Sequence, residues 1–288
     1  RWYGALSTYT KELNDKFDLL AGLDLRYYKG IHFSEVTDLL GADYVLDDFD
    51  VNNPAKRLQV GDKREYYNDG IVLWEGGFLQ LEYSEGPLSA FVSLSGSNTS
   101  YKRIDYFNYL DSDPQQETDF QNFFGFQVKG GANYNITRNH NVFANLGYFE
   151  KAPGFDAVFQ NFRNDINEEA ENQKILSYEV GYGFRSSNFN GNLNVYRTSW
   201  QDRTFTSSFN PGQDNPNTPV DERTELYFAN ILGVDALHQG IELDFTYTPI
   251  AGLSIYGMAS TGDWAWQENV NGVTIFDEGQ NEIGTIST

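Results

Sequence analysis

The stretch FDLLAGLDLRYY, Phe17 to Tyr28, decides the fold, because its residues alternate between two faces. Phe17, Leu19, Ala21, Leu23, Leu25 and Tyr27 fall on one side, and Asp18, Leu20, Gly22, Asp24, Arg26 and Tyr28 on the other. A period of two belongs to a β-strand, whose successive side chains point to opposite faces. The pattern recurs along the chain. Leu79, Leu81 and Tyr83 oppose Phe78, Gln80 and Glu82; Leu88, Ala90, Val92 and Leu94 oppose Ser89, Phe91, Ser93 and Ser95. Phe124, Phe126 and Val128 oppose Gly125, Gln127 and Lys129. Leu176, Tyr178, Val180, Tyr182 and Phe184 oppose Ser177, Glu179, Gly181, Gly183 and Arg185. Leu193 and Val195 oppose Asn192 and Asn194, and Ile241, Leu243, Phe245 and Tyr247 oppose Glu242, Asp244, Thr246 and Thr248. With weaker alternation near residues 2–10, 141–149 and 253–264, about ten strands are expected and no helix of comparable length. The architecture is all-β.

The connections alternate in length. Short turns rich in Gly, Pro, Asn, Asp and Ser are predicted at Leu13 to Asp15, Ser84 to Pro87, Asn135 to His140, Ser186 to Asn188 and Pro249 to Gly252. Between these hairpins lie long polar segments near 29–70, 104–120, 150–173 and 204–235. Compact soluble domains rarely carry several such loops. Antiparallel transmembrane β-barrels of the bacterial outer membrane do, with short periplasmic turns and long extracellular loops.

Composition is compatible with that architecture. Aromatics make up 16% of the 288 residues, with 19 Tyr and 22 Phe. Mean hydropathy is negative, and no run approaches the ~18 apolar residues of a membrane helix. A spanning β-strand averages its two faces, so that hydropathy does not argue for a soluble protein. A net charge of −21 argues against a nucleic-acid partner, which needs clustered cations. The absence of cysteine excludes disulfides and thiolate metal sites. Arg1-Trp2-Tyr3-Gly4 is no signal peptide, consistent with processing or with a chain that begins midway through a longer one.

A soluble barrel also alternates, with its apolar face inward, so the sense of the faces needs further argument. The opposing rows are rich in Gly, Ser, Asn and Thr, which suit a crowded or hydrated lumen. The apolar rows end in Tyr27, Tyr83, Tyr134, Tyr148 and Tyr247, as an aromatic girdle would. Asp18, Asp24, Arg26, Glu82, Lys129, Glu179, Arg185, Glu242 and Asp244 all lie on the polar rows and are expected to face the lumen, with His238 on the same parity. Glu75 breaks the pattern beside a long loop. Outer-membrane lipid is therefore the expected partner of the apolar rows. The final residues, Gly284 to Thr288, read as loop rather than as a terminal strand ending in an aromatic, which suggests part of something larger.

Tyr148-Phe149-Glu150-Lys151-Ala152-Pro153-Gly154-Phe155 resembles the strand end and Ala-Pro turn of the TonB-dependent outer-membrane receptors. Asn172 to Tyr182 resembles that family's strand with a Tyr-Glu-x-Gly core, and Asn194 to Arg203 its next strand with Tyr, Trp and an Asp-Arg pair. Asn230-Ile231 followed by His238-Gln239-Gly240-Ile241-Glu242-Leu243 is similar to its Gly-Ile-Glu-Leu strand, with Leu253 to Trp264 as neighbour. The resemblance implies a barrel of about 22 strands, of which residues 1–288 would form one part. The plug domain and the remaining strands would then lie outside this chain. It also implies energised uptake of a scarce metal chelate, glycan or peptide, with TonB as partner through the missing N-terminal region. A surface lipoprotein lid accompanies the glycan-importing branch.

Ligand contact is expected where strands meet long loops, at Phe155, Phe159, Asn161, Trp200, Arg203, Tyr227 and Trp264, because aromatic faces with a few polar groups suit chelates or sugars. No catalytic residue is expected: no Ser, His and Asp stand at a recognisable spacing. Of three histidines, His238 stands near Asp235 and reads as a hydrogen-bonded lumen residue, His140 sits in a tight turn and His32 opens the longest loop. Acid runs at Asp47-Asp48-Phe49-Asp50 and Asp111-Ser112-Asp113 lack the glycine and closing Glu of a calcium loop. They read as solvated loop, with surface Ca²⁺ the one ion they would suit. Two other readings fit the same pattern: a complete ten-stranded outer-membrane enzyme of protease type, and a passive porin.

Overall fold

The computed structural model describes residues 1–159, 162–210, 212, 226–267, 272–277 and 281–286. Long strands appear wherever the sequence alternates: β1 (Trp2–Asn14), β2 (Phe17–Glu35), then a small hairpin of β3 (Val45–Asp47) and β4 (Lys56–Leu58) within the first long loop. There follow β5 (Lys63–Glu85), β6 (Leu88–Asp105), β7 (Gln121–Asn135) and β8 (His140–Lys151). A four-residue helix α1 (Phe155–Val158) precedes β9 (Gln173–Arg185), β10 (Phe189–Phe209), β11 (Tyr227–Ile250) and β12 (Leu253–Trp266). Two short strands, β13 (Val273–Phe276) and β14 (Glu282–Ile286), extend the sheet beyond the upper part of β11.

The ten long strands form one antiparallel meander in the order β1-β2-β5-β6-β7-β8-β9-β10-β11-β12. Tight turns lie at one end. Gly86 and Gly252 take φ of 57° and 83° there, a left-handed conformation open to glycine without strain. The long connections gather at the other end. This is the antiparallel transmembrane barrel topology that the alternating loop lengths predict, with the strands of one barrel wall.

Register confirms that the apolar residues form continuous rows across strands. Leu79 pairs with Ala21 and Leu94, and Leu94 with Val128. Val180 pairs with Ala144 and Val195, and Val195 with Ile241. No second layer covers them: Leu25, Leu94, Phe124, Leu146, Val180 and Ile241 are between 46% and 76% exposed. Buried apolar side chains cluster instead near the long loops. On β7 the belt runs from Phe124 to Tyr134; at ~3.3 Å per residue and a tilt of roughly 40°, it is about 25 Å tall, the height of an outer-membrane apolar band.

Above the belt the same face turns polar, at Glu75, Asn98, Ser100, Asn122, Glu150 and Lys174. Arg197 also stands on the apolar face, paired with Tyr178 and Gln239, an exception that the alternation hides inside the Asn194–Arg203 motif. A basic side chain there costs roughly 2–4 kcal/mol at the midplane but about 0–1 near the interface. Arg197 lies near the upper edge, where the cost is small.

Strands are longer than the sequence suggests. β2 runs on to Glu35, β5 begins at Lys63, and β10 reaches Phe209, so much of the segments near 29–70 and 204–235 is sheet. Beyond the belt both faces meet water or loops, so the two-residue hydrophobic signal disappears while backbone pairing continues.

Candidate ligand site at the long-loop end

The third long connection folds against the polar face of the wall. Val158 and Phe159 are buried against Tyr101, with Val72, Phe123 and Phe155 around them. Gly70 makes this approach possible: a Cβ there would meet the Phe155 ring at 3.3 Å. Tyr101 donates its hydroxyl to Pro153 O at 2.9 Å, holding the start of α1 down on the sheet.

Three loops are then tied together by amide side chains. Asn52 donates to the carbonyls of Tyr106 and Tyr109 and accepts from Asp111 N at 2.8 Å, joining the first long loop to the second. Arg103, 4% exposed, donates to Asp105 Oδ2 at 3.0 Å and to Asn164 Oδ1 at 2.9 Å. Asn164 donates onward to the carbonyls of Gln115 and Gln116, each at 2.7 Å. Asp105 completes the pin by accepting from the backbone N–H of Phe107 and Asn108. A buried ion pair needs such added hydrogen bonds to offset its desolvation. On the opposite face, Asp69 accepts from the Tyr106 hydroxyl at 2.7 Å and pairs with Lys29 at 2.6 Å. Burial, then that hydrogen bond, raises the Tyr106 hydroxyl well above its ordinary value. Burial likewise pushes Tyr109 upward.

Wall and loops enclose a cavity of about 820 Å³ on the polar face. Tyr28, Phe49, Tyr66, Phe155 and Phe162 supply rings, while Arg103 and Arg163 supply cations. Glu65, Asp156 and His32 add acceptors. Phe162 holds a φ of 60°, uncommon for a bulky residue, and its ring lies edge-on to Phe228 at 5.8 Å.

Of the residues singled out in the sequence, Phe155 lines this cavity, and Phe159 borders it but is 2% exposed and packs into the loop core. Asn161 lies outside the described residues. Trp200 and Arg203 form a separate cluster. The Arg203 guanidinium carbon lies 4.3 Å from the Trp200 ring centre, 4.8 Å from Phe205 and 5.2 Å from Trp266. Asp202, at φ 57°, makes the bulge that turns Arg203 onto the face of Trp200. Trp200 also donates to Gln173 Oε1 at 2.9 Å. Trp264, on the same face, donates to the Tyr196 hydroxyl at 3.0 Å. Tyr227 packs beside Ala229, Val273 and Ile275.

The charged residues expected at the lumen share that face by register. Asp18 stands opposite Glu82, Asp24 is paired with Arg26, and Asn145 donates to Glu179 and Asn192 to Asp244. Lys129 pairs with Ser93, Arg185 with Asn190, His238 with Thr198 and Glu242 with Asn194. The acid runs engage turn amides: Asp48 accepts from Ala55, Asp50 from Asn52 and Asn53, and Asp113 from Gln115. Among the described residues no three His, Asp or Glu gather at metal-binding spacing. Sequence reading missed Arg103, Arg163, Phe162 and Tyr66. The i, i+4, i+7 spacing of Phe155, Phe159 and Phe162 was the available signal for a loop that packs on the wall.

Residues 1–287 match the family described as TonB dependent receptor-like, beta-barrel. Among solved structures, the chain is similar to the copper transporter OprC, at 13% identity and a TM-score of 0.66, covering 96% of this chain and 41% of that one. It is also similar to the ferric-catecholate import receptor Fiu of E. coli K12, at 14% identity and a TM-score of 0.56, covering 93% of this chain and 38% of that one. This chain thus spans about two fifths of the length of each. No curated protein matches the sequence significantly.

Proposed function

Because this chain belongs to the TonB-dependent receptor-like β-barrel family, we propose that it forms part of the wall and ligand vestibule of an energised importer. Proteins of this family reside in the outer membrane of Gram-negative bacteria, and so does this chain. Members act as transporters or receptors rather than as enzymes. In the proposal, a plug domain and further strands complete the barrel, and TonB supplies the energy. Neither β1 nor β12 pairs with the other among the described residues, and each has a free edge. Backbone in hydrocarbon must be paired, which favours closure by additional strands over a ten-stranded barrel.

The observation that carries the proposal is the ring-lined cavity at the long-loop end. Flat rings stack on aromatic walls, and guanidinium groups meet oxyanions. The Arg163 guanidinium and the five rings therefore suit a ring-bearing metal chelate with oxygen donors better than a glycan or a peptide, while Arg103, held by Asp105, shapes the wall. The test is growth and uptake by a deletion strain carrying the full-length gene. We expect restored uptake of one class of labelled ferric or cupric chelate, dependent on TonB and on the proton gradient. Uptake that persists after the gradient collapses would identify a passive pore, and restored growth on glycans alone would reject the chelate.

A further inference from the structure

We propose that the apolar face carries a specific site for one phosphate-bearing membrane lipid, with its headgroup on Arg197 and an acyl chain in the groove below. The inference rests on the membrane-facing sense of this face and not on the identity of the transported ligand. A groove of about 390 Å³ runs between β9, β10 and β11, walled by Tyr178, Val180, Val195 and Ile241 and capped by Arg197 and Gln239. Its lower walls belong to the apolar rows, which have no protein layer against them.

The charge at the upper end selects the occupant. Lys102 and Lys174, on the same face near the upper edge of the belt, are paired with Glu117 and Asp202. Arg197 has no carboxylate at ion-pairing distance among the described residues, and donates only to Gln239 Oε1 at 3.2 Å. Asp263 stands beyond Gln239 in the register, with its backbone two strand spacings (about 10 Å) from that of Arg197, and makes no ion pair with it. A planar guanidinium with unused N–H groups matches a phosphate in geometry and charge. Located at the long-loop end of the belt, it meets the headgroup level of the outer leaflet, and the groove accepts the attached chain. A zwitterionic headgroup would bring its own cation beside Arg197 and bind less well.

The full-length protein, purified in detergent doped with either dioleoyl phosphatidic acid or dioleoyl phosphatidylcholine, is suited to native mass spectrometry. The expected result is one retained phosphatidic acid per protein, in roughly five-fold or greater excess over phosphatidylcholine. Arg197→Gln should abolish that excess and Arg197→Lys keep part of it. Ile241→Trp, which fills the groove and leaves the cation, should also lower retention, with heat-modifiable gel mobility confirming a folded barrel. Unchanged retention in Arg197→Gln or in Ile241→Trp, or equal retention of the two lipids, overturns the site. Displacement of the lipid by millimolar inorganic phosphate alone would show a bare anion site and also overturn it. A protein dimer in place of the lipid adduct would assign the groove to a second copy instead.

Discussion

Asn164 accepts a hydrogen bond from the buried Arg103 guanidinium at 2.9 Å, so a residue of the third long loop is fastened to a residue of the barrel wall. Because Asn164 also donates to Gln115 and Gln116, the same side chain holds the second loop. The vestibule owes its shape to this junction.

Asn164→Ala should loosen both loops without disturbing the sheet. It strands one guanidinium N–H and two carbonyls, a loss of about 1–3 kcal/mol for each buried group left unpaired. Hydrogen exchange should rise across 106–120 and 162–172 while β7 and β8 stay protected. Arg103→Met goes further, leaving Asp105 buried without its cation at a cost of roughly 3–5 kcal/mol, and should lower the unfolding midpoint. Equal protection in wild type and Asn164→Ala would show that the junction holds nothing.

Adjacent residues on β7 test which face meets lipid. Val128→Arg should destabilise folding into vesicles by about 2–4 kcal/mol, because Val128 sits in the middle of the apolar band. Gln127→Arg, one residue away on the other face, should change stability little. The reverse order of the two would place the apolar rows against protein.

The Gly70–Phe155 contact predicts a steric control on the cavity. Gly70→Leu should drive the Phe155 ring off the wall and into the cavity, since even a Cβ would stand 3.3 Å from it. Ligand uptake should fall by about ten-fold or more. Phe155→Ala should weaken binding through lost ring contact while leaving the wall intact. Retained affinity in both would move the ligand elsewhere, with the Trp200–Arg203–Trp266 cluster the next place to look.

Tyr106 supplies a pH signature. Its hydroxyl titrates above the usual ~10, raised by burial and by its bond to Asp69. The contact is therefore fully present below the unfolded tyrosine value and is lost as pH rises through the higher folded one. Exchange of amides in 106–120 should stay slow at neutral pH and accelerate only in strong alkali. Tyr106→Phe should remove that alkaline step and raise exchange already at pH 7.

Much of the wall is legible in the sequence. Leu94, Val128 and Val180 lie in the rows that their alternation predicted, and the turns at Gly86 and Gly252 fall where expected. The vestibule is less so. Phe159 is expected to meet ligand yet is buried in the loop core, and Arg103, which no sequence pattern singles out, is 4% exposed. Their environment comes from segments 50 to 60 residues away, such as Pro153 against Tyr101 and Asn164 against Arg103. No local pattern encodes such meetings.

Side-chain alternation is a property of a single strand and needs no partner, so one dimension of information assigned each row to oil or water and fixed the meander through its short turns. Arg203 marks the boundary of that reasoning. Continued alternation past Trp200 would send it to the apolar face, but the left-handed Asp202 inserts a bulge and returns it among Trp200, Phe205 and Trp266. A bulge arises from how two strands pair, and rings from β10 and β12 meet around the cation only once β11 lies between them. That decision belongs to tertiary contact, because the energy of placing a guanidinium depends on neighbours far away along the chain.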